Sequence, residues 1–393
     1  MTKKTMKVIA LNYLTDTPVT HILEVFTRLQ ASYNTELILL KTQSEFKVTE
    51  LSKKVNIRQT PFTQHKIPFL RGLWFEIYII LYVIFSREKI DVIYGRLRPF
   101  SFAEYIIHKL TKIPVIIEVN GLLTEEFVME TQMSSILNSL LVKTVSYMES
   151  KTLSVSDKVI SVTPNIKKTL QKKYGVPEDK GIVIENGANT DLFKPINMEE
   201  AKKKLKLNDE YRYIIFVGNL APWQGVEYLV KAAPLILKEV PDIKFLIVGD
   251  GAMKNELMES VHDLKLQDSF HFTGMIPYED VPLYVNSGEL CVAYKKPIGS
   301  GYSALKFYEY MACGKPIVAS RVTGFELLEQ QNAGVLVDPQ NHEKLAEAII
   351  NILKNEELRK KMGENGRKFL IENNSWDAVT KRIENILDDA LTD

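Results

Sequence analysis

Short runs of apolar residues alternate with longer segments of helical periodicity along nearly the whole chain. This alternation is typical of parallel α/β sheets, in which each buried strand is followed by a helix that covers it. In the first half the predicted strands are Val8–Leu11, Glu36–Leu40, Val92–Tyr94, Val115–Val119, Lys158–Val162 and Ile182–Ile184. In the second half they are Tyr213–Val217, Lys244–Val248, Phe270–Phe272, Leu290–Ala293, Ile317–Ala319 and Gly334–Val337. The restart of the pattern predicts two consecutive doubly wound domains.

A polar, turn-rich segment that ends at Pro195 separates the two series of strands. We therefore expect a first Rossmann-like domain over residues 1–195 and a second over residues 196–375. The last amphipathic segment, residues 376–393, is expected to pack back on the first domain. Ligands of such sheets bind beyond the carboxyl ends of the strands, so two domains that face each other across a cleft would bind them there.

The most hydrophobic stretch, Leu73–Phe85, is interrupted only by Glu76. As a helix it extends about 20 Å, whereas a membrane span needs about 30 Å of hydrocarbon. A core helix is the first interpretation. Contact with a membrane surface is the alternative, since Arg71, Arg87 and Lys89 at its ends suit anionic headgroups.

Composition is that of an ordinary globular protein, with 393 residues, 45% of them hydrophobic and 25% charged. The formal net charge of +1 does not indicate a nucleic-acid partner. The charges are unevenly placed, because residues 1–190 carry 25 basic and 18 acidic side chains whereas residues 191–393 carry 25 and 31. This polarity would suit a protein that rests its first domain on an anionic membrane.

The two cysteines, Cys291 and Cys313, are too few for a disulfide framework, and they lack the spacing of metal ligands. We therefore expect a cytoplasmic protein. No D-x-D triplet is present to hold a metal on a diphosphate, and we expect neither a metal nor a cofactor. Peripheral attachment to the inner face of the membrane stays open.

The strongest chemical signal lies in residues 299–319, where a glycine loop precedes a helix predicted from about Ala304 to Cys313. The first backbone amides of a helix have no partner within it, and together with the helix dipole they favour an anion such as phosphate. The amides concerned are those of Ser303, Ala304 and Leu305.

Two charged side chains follow in the same helix. Lys306 places a cation in the first turn, where it is unfavourable for the helix itself, so an anionic ligand is the better explanation. Glu309 shares its face and can accept hydrogen bonds from sugar hydroxyls. The alternative is an ion pair between Lys306 and Glu309 on a solvated surface.

The segment from Gly301 to Ala319 resembles the donor-binding signature of the family 4 retaining glycosyltransferases, which share the two-domain GT-B fold and use nucleotide sugars. Within it, S-x-L-K-x-[FY]-E-Y-M resembles the pattern of a subgroup. Other matches in the family's order are Phe216–Gly218, Gly225–Leu229, Phe245–Gly251, Phe272–Gly274, Asn332–Pro339 and the interdomain stretch Glu185–Phe193. The resemblance implies that Glu309, the second glutamate of an E-x7-E motif, binds the nucleotide ribose. It also implies that amides near Ala304 and Leu305 hold the diphosphate.

Three positions depart from the family's pattern. Gly301 stands at the first glutamate of E-x7-E, so the contact with the donor sugar would come from backbone, from Tyr302 or from elsewhere. Asn219 and Gln224 stand where the family has an arginine and a lysine that neutralise the diphosphate. Lys306, with Lys295 and Lys296, could replace that charge. The predicted donor-binding residues are Gly218, Asn219, Gln224, Gly301, Tyr302, Ser303, Ala304, Leu305, Lys306 and Glu309.

The first domain offers candidates for the acceptor. Asn120 follows a predicted strand at the position where many relatives carry a histidine, and it can orient a sugar hydroxyl but cannot act as a general base. Arg96 and Arg98 follow the preceding strand, and Glu126 begins the next segment. Surface arginines and a helix-start charge are the alternative explanations for these three residues.

The resemblance implies a glycosyltransferase that retains the anomeric configuration and needs no metal. Lys306, Glu309 and Asn120 are its predicted catalytic residues. The donor would be a nucleotide diphosphate sugar and the acceptor a glycan, a glycolipid or lipid-linked glycan, or a small molecule. Two alternatives are a catalytically silent GT-B subunit that binds a nucleotide sugar, and a GT-B sugar-nucleotide epimerase or phosphorylase.

Overall fold

The structure is a computed structural model that describes residues 4–12, 20–40, 55–61, 68–98, 101–121, 135–297, 302–303 and 305–392. The chain divides into two compact units, of which the first comprises Met1–Glu185 with Val379–Asp393 and the second comprises Asn186–Ala378. Within the first unit, Tyr33 Oη donates a 2.8 Å hydrogen bond to Asp388 near the C-terminus. The domain boundary at residue 195 stays a prediction.

The first unit is built on a parallel sheet of seven strands. Its elements in chain order are β1 (Lys4–Asn12), α1 (Thr20–Ser32), β2 (Tyr33–Leu39), β3 (Ile57–Gln59), α2 (Pro68–Phe85), β4 (Val92–Arg96), α3 (Ala103–Thr111), β5 (Val115–Val119), α4 (Ser135–Val155), β6 (Lys158–Ser161), α5 (Pro164–Tyr174) and β7 (Gly181–Val183). The strand order is β3-β2-β1-β4-β5-β6-β7. The order reverses between β1 and β4, which is the doubly wound topology expected from the sequence.

Helix α2 contains the most hydrophobic stretch of the sequence and buries only one of its faces. Side chains one turn apart on this helix join the core with strands β4 and β5: Phe75, Ile79 and Val83. The opposite face leaves Trp74 50%, Leu81 49% and Phe85 76% exposed. The helix is therefore a core helix on one side, with apolar side chains in solvent on the other. In the part of the chain that the structure describes, no helix combines the length and the apolar character needed to cross a bilayer.

The second unit repeats the architecture with a parallel sheet of six strands. Its elements are α6 (Met198–Lys204), β8 (Arg212–Val217), α7 (Val226–Glu239), β9 (Ile243–Val248), α8 (Lys254–Asp263), β10 (Phe270–Gly274), α9 (Val281–Asn286), β11 (Leu290–Ala293), α10 (Leu305–Ala312), β12 (Ile317–Ser320), α11 (Leu327–Gln330), β13 (Gly334–Val337), α12 (His342–Lys354), α13 (Glu356–Phe369) and α14 (Trp376–Thr392). The last helix begins in this unit and continues into the residues grouped with the first.

The sheet of the second unit is covered on both faces. Its strand order is β10-β9-β8-β11-β12-β13, so the order reverses between β8 and β11. Side chains alternate across a strand. Accordingly, Ile214 and Phe216 of β8 join one hydrophobic cluster, and Tyr213 and Ile215 join another. Ligands of such sheets bind where the order reverses, at the carboxyl ends of the two strands.

The predicted α/β class with two doubly wound, parallel-stranded units is confirmed. Every predicted strand is present, with ends that differ from the prediction by at most four residues. Strand β3 is missing from the prediction. Its three residues, Ile57, Arg58 and Gln59, lie at the sheet edge with partly exposed side chains and therefore lack a continuous apolar run.

Candidate functional site

The candidate site of the second unit lies at the carboxyl end of β8, where the strand order reverses. Gly218 follows this strand with a φ of +146°, a backbone angle that residues other than glycine rarely adopt. A Cβ atom at this position would lie 2.2 Å from Nζ of Lys306. The missing side chain of Gly218 therefore makes the space in which the Lys306 ammonium lies.

Lys306 stands in the first turn of α10. Its Nζ donates a 2.9 Å hydrogen bond to Oε1 of Gln224 and lies 4.5 Å from the ring centre of Phe216. Burial and the neighbouring Lys295 hold the pKa of Lys306 well below its usual value, while Glu309 acts in the opposite direction. An ammonium in these surroundings is stabilised by an anionic ligand, because an opposite charge favours the charged form.

Glu309 lies one turn further along α10 and is almost fully buried. Its Oε1 accepts a 2.8 Å hydrogen bond from Tyr278 Oη. Burial raises the pKa of this carboxyl to about 7, although Tyr278 and Lys306 both act to lower it. Because Lys306 bonds to Gln224 and Glu309 bonds to Tyr278, these contacts replace the intrahelical ion pair that the sequence left open.

The residues that precede α10 are held by their neighbours. Tyr302 is buried, and its Oη donates a 2.8 Å hydrogen bond to the carbonyl of Lys296. Ser303 Oγ accepts a 2.7 Å hydrogen bond from Asn186. Two other predicted donor-binding residues, Gly301 and Ala304, lie outside the described residues.

The two lysines that follow β11 have different surroundings: Lys295 is buried against an aromatic ring, whereas Lys296 is paired with a carboxylate. Lys295 Nζ lies 4.2 Å from the ring centre of Tyr302, and burial lowers the pKa of Lys295 to about 8. Lys296 forms a 2.6 Å ion pair with Glu227. Its charge is balanced there, so we do not include Lys296 in the candidate site.

Of the two positions where the family has a cation and this chain does not, Gln224 contacts Lys306 and Asn219 contacts the neighbouring glycine turn. A Cβ atom on Gly251 would lie 2.3 Å from Oδ1 of Asn219. Gln224 therefore belongs to the surroundings of the Lys306 ammonium, whereas the side chain of Asn219 packs on the turn after β9.

In the first unit, polar residues meet at the carboxyl ends of β4 and β5. Glu118 accepts hydrogen bonds from Tyr94 Oη and from the side-chain amide of Asn120. This contact fixes the orientation of the Asn120 amide, and Arg96 ends the adjacent strand. Glu126, the remaining acceptor candidate, lies outside the described residues.

Arg98 differs from the prediction, because it is 3% exposed and surrounded by carboxylates. Its Nε donates a 2.7 Å hydrogen bond to Glu76, and its other nitrogens bond to Glu104. Glu76 also accepts the backbone amides of Phe102 and Ala103 at the start of α3. Arg98 thus serves the packing of the first unit, which spacing along the sequence does not reveal.

Two residues that contact candidate site residues are not predicted from the sequence: Glu118 contacts Asn120, and Tyr278 contacts Glu309. Glu118 could have been identified from the sequence, since it is a carboxylate inside the otherwise apolar strand Val115–Val119. Tyr278 could not have been identified in this way, because it lies 31 positions before Glu309 and no sequence pattern links the two residues.

The two cysteines are core residues. Cys291 and Cys313 are both free and buried, and burial raises the pKa of Cys313 to about 12. Across the described residues, no three His, Cys, Asp or Glu side chains form a group that could hold a metal ion.

Two family models match successive parts of the chain. The model described as Glycosyltransferase Family 4 matches residues 19–192, and the model described as Glycosyl transferases group 1 matches residues 197–369. An uncharacterized glycosyltransferase of Methanocaldococcus jannaschii is 30% identical over 249 residues, or 62% of this chain and 63% of the relative.

Two further comparisons name a nucleotide or a nucleotide sugar. A Corynebacterium glutamicum relative is 26% identical over 211 residues, 52% of this chain and 55% of its own length, and is a GDP-mannose-dependent monoacylated alpha-(1-6)-phosphatidylinositol monomannoside mannosyltransferase. The matches to both sequence relatives thus span less than two thirds of their lengths. An Anabaena protein in complex with UDP-glucose has a TM-score of 0.76 at 18% identity, covering 98% of this chain and all of its own. This structural likeness confirms the predicted GT-B fold.

Proposed function

We propose that the chain is a glycosyltransferase of the GT-B fold that transfers a sugar from a nucleoside diphosphate sugar to an acceptor hydroxyl with retention of configuration. The observation that carries the proposal is the position of the Lys306 ammonium. It lies over Gly218 at the carboxyl end of β8, in the first turn of a helix, and its hydrogen-bond partner is a neutral amide.

The donor's diphosphate is proposed to bind where this ammonium meets the start of α10. The first N–H groups of a helix have no partner within the helix, and the helix dipole adds positive potential there. Lys306 stands at the same end, and a bound diphosphate would favour the charged form of its side chain. Glu309 lies on the same helix, where its carboxylate can accept hydrogen bonds from the ribose hydroxyls. A relative named as GDP-mannose-dependent and a structural neighbour with UDP-glucose support this class of donor.

The chemical step is proposed to be attack on the sugar from the face that the diphosphate leaves. Negative charge develops on the diphosphate as the glycosidic bond breaks. Lys306 and the helix-start amides stabilise that charge, and fixed donors of this kind contribute strongly to catalysis. The departing phosphate oxygen takes the proton of the acceptor hydroxyl. In this scheme the charge on the leaving group is balanced by protein groups without a metal, so full activity in the presence of EDTA is expected.

The acceptor is proposed to be a glycan, glycolipid, lipid-linked or small hydroxyl compound bound mainly by the first unit. Glu118 holds the amide of Asn120, which can then orient an acceptor hydroxyl. Arg96 ends the neighbouring strand and could bind an acceptor phosphate. Neither residue is proposed as a general base.

We further propose that the first unit rests on an anionic membrane surface. Helix α2 exposes Trp74, Leu81 and Phe85, and Leu110 on α3 is 66% exposed between the exposed side chains of Lys109 and Lys112. Aromatic and aliphatic side chains with neighbouring cations are the groups that enter the headgroup region of anionic bilayers. The basic excess of residues 1–190 adds a favourable long-range attraction.

Stabilisation of the protein against heat by a panel of nucleotide sugars tests the donor proposal. A ligand at 100 times its dissociation constant adds about 2.7 kcal/mol to the free energy of unfolding. We expect at least one UDP or GDP sugar to raise the melting temperature of the wild type. Lys306→Met should lose most of this shift. The matched control Lys296→Met should keep it, because Lys296 is paired with Glu227. A shift that Lys306→Met retains in full would show that Lys306 does not bind the diphosphate.

A further inference from the structure

We propose that Gln224 is a positioning residue for the donor diphosphate: its side-chain oxygen holds the Lys306 ammonium over Gly218 without neutralising the charge. This inference rests on the proposed function, since it assigns a role within the same site. It concerns a residue that contacts Lys306 from a different element, 82 positions away in the chain.

The turn that carries Gln224 is fixed in place. Gln224 ends the short 3-10 turn Pro222–Gln224, its N–H donates to the carbonyl of Ala221 at 2.9 Å, and the residue is 7% exposed. The next residue, Gly225, has a φ of +63°, and a Cβ atom there would lie 2.9 Å from the ring of Tyr294. The turn is thus packed against the end of β11, so the amide of Gln224 has a defined position.

A neutral acceptor at this position has a specific electrostatic consequence. An ammonium has three N–H donors, and an amide oxygen satisfies one of them while leaving the net charge in place. The face of the Phe216 ring, 4.5 Å from Nζ, adds a favourable cation–π contact that likewise leaves the charge in place. A carboxylate in place of the amide would form an ion pair and cancel the charge before the donor arrives.

A neighbouring lysine shows the contrasting arrangement. Lys296 lies ten positions before Lys306 in sequence, and its ammonium is paired with the carboxylate of Glu227 at 2.6 Å. Glu227 follows Gln224 by three positions, so one short segment supplies a neutral partner to Lys306 and an acidic partner to Lys296. Of these two lysines, the one with the neutral partner lies at the glycine after β8. Burial also keeps the pKa of Lys306 low, which a bound diphosphate would reverse.

Two substitutions of Gln224 separate positioning from packing. Gln224→Glu should pair with Lys306 and lower the affinity for the nucleoside diphosphate that binds the wild type, UDP or GDP, by about tenfold or more, the size of a lost charge-assisted contact. Gln224→Met keeps the length of the side chain but removes the acceptor, and it should lower that affinity by a smaller factor. Affinity for the matching nucleoside, uridine or guanosine, should not change in either variant. Glu227→Gln is the matched control and should bind the diphosphate like the wild type.

A reciprocal exchange tests whether position 224 lies in the same diphosphate site as Lys306. Lys306→Gln alone should lose the affinity for the nucleoside diphosphate. Adding Gln224→Lys to it restores an ammonium and an amide in contact, with their places exchanged, and should recover much of the lost affinity. A double variant no better than Lys306→Gln would show that position 224 lies outside the diphosphate site and would overturn the positioning role.

Calorimetric titration of the full-length variants decides between the outcomes, with melting temperatures measured alongside. If the wild type binds UDP or GDP and Gln224→Glu and Gln224→Met bind it equally well, the positioning role is wrong and the proposed function stands. If the wild type binds neither diphosphate, the positioning role and the proposed function are both wrong. Should Gln224→Glu fail to fold, Gln224→Met and the reciprocal exchange decide the question.

Discussion

The carboxyl of Glu309 is buried and accepts a hydrogen bond from Tyr278. Its pKa is raised from 4.5 to about 7, mainly by burial. The folded state therefore holds this proton more tightly than the unfolded chain does. The contribution to stability is fully present below pH 4.5 and is lost as the pH rises through 7. Ionisation of Glu309 therefore destabilises the folded protein as the pH rises through 7.

Substitution of Glu309 by Gln tests whether ionisation of this carboxyl lowers the stability of the protein. Gln resembles the protonated carboxyl, so at pH 8 the free energy of unfolding of the variant, measured in urea, should exceed that of the wild type by about 1 to 3 kcal/mol. At pH 4.5 the two proteins should be equally stable. The same variant should bind the donor more weakly. The exposed Glu372→Gln is the control and should not change the pH dependence. A Glu309→Gln protein that is less stable than the wild type at both pH values would contradict this account.

The sequence predicts the two charged residues of α10 but not their partners. Spacing of three positions places Lys306 and Glu309 on one face of a helix, as observed. Gln224 and Tyr278 are 82 and 31 positions away from them, and the helical pattern carries no information on such distant contacts. The folded sheet brings these residues together.

At the scale of elements, the contacts of Glu76 explain why one charged residue interrupts the apolar stretch Leu73–Phe85 of helix α2. Its carboxylate is buried, bonds to Arg98, and accepts the first amides of α3. Burial raises the pKa of Glu76 to about 7, while the charge of Arg98 acts to lower it. Glu76 therefore joins α2, the loop after β4 and the start of α3 in one buried network.

Removal of Arg98 should destabilise the protein more than removal of its neighbour Arg96. Arg98→Met leaves Glu76 and Glu104 buried without their cation, and broken buried pairs of this kind cost about 3–5 kcal/mol. Arg96→Met, at a partly exposed position, should cost less than about 1 kcal/mol. Urea unfolding of both variants measures the difference. Similar stability losses in the two variants would show that the network contributes little.

The positions of the buried strands follow from the sequence because parallel strands are covered on both faces and read as continuous apolar runs. The strand Leu290–Ala293 is found with the predicted bounds. Helix α2 starts earlier than the predicted Leu73, at Pro68, a residue that is favoured in the first turn. Edge strand β3 has no such apolar run and is invisible to this reasoning.

At the scale of the whole molecule, the near-neutral total charge hides a basic first part and an acidic second part. The structure adds that the first unit carries exposed apolar side chains on α2. Charge and exposed apolar groups in the same unit are the basis for the proposed contact with an anionic membrane.

Flotation with lipid vesicles tests this contact. The wild type should float with vesicles that contain phosphatidylglycerol and remain behind with pure phosphatidylcholine, because the attraction is electrostatic as well as hydrophobic. The triple variant Trp74→Ser, Leu81→Ser, Phe85→Ser should lose flotation. The control Met258→Ser, Met275→Ser changes exposed apolar side chains of the second unit and should float like the wild type. Equal recovery of the wild type with both kinds of vesicle would refute the membrane proposal.

We propose that the protein transfers a sugar from a nucleoside diphosphate sugar, with Lys306 holding the leaving diphosphate. The most direct test is release of nucleoside diphosphate when the full-length protein is incubated with UDP and GDP sugars, with and without a mixture of glycan and lipid-linked acceptors. We expect release that depends on an acceptor, persists in EDTA and is strongly reduced in Lys306→Met. No release with any donor and acceptor, despite donor binding, would indicate a silent binding subunit. Conversion of the donor alone to an isomer would indicate an epimerase, and either result would contradict the account.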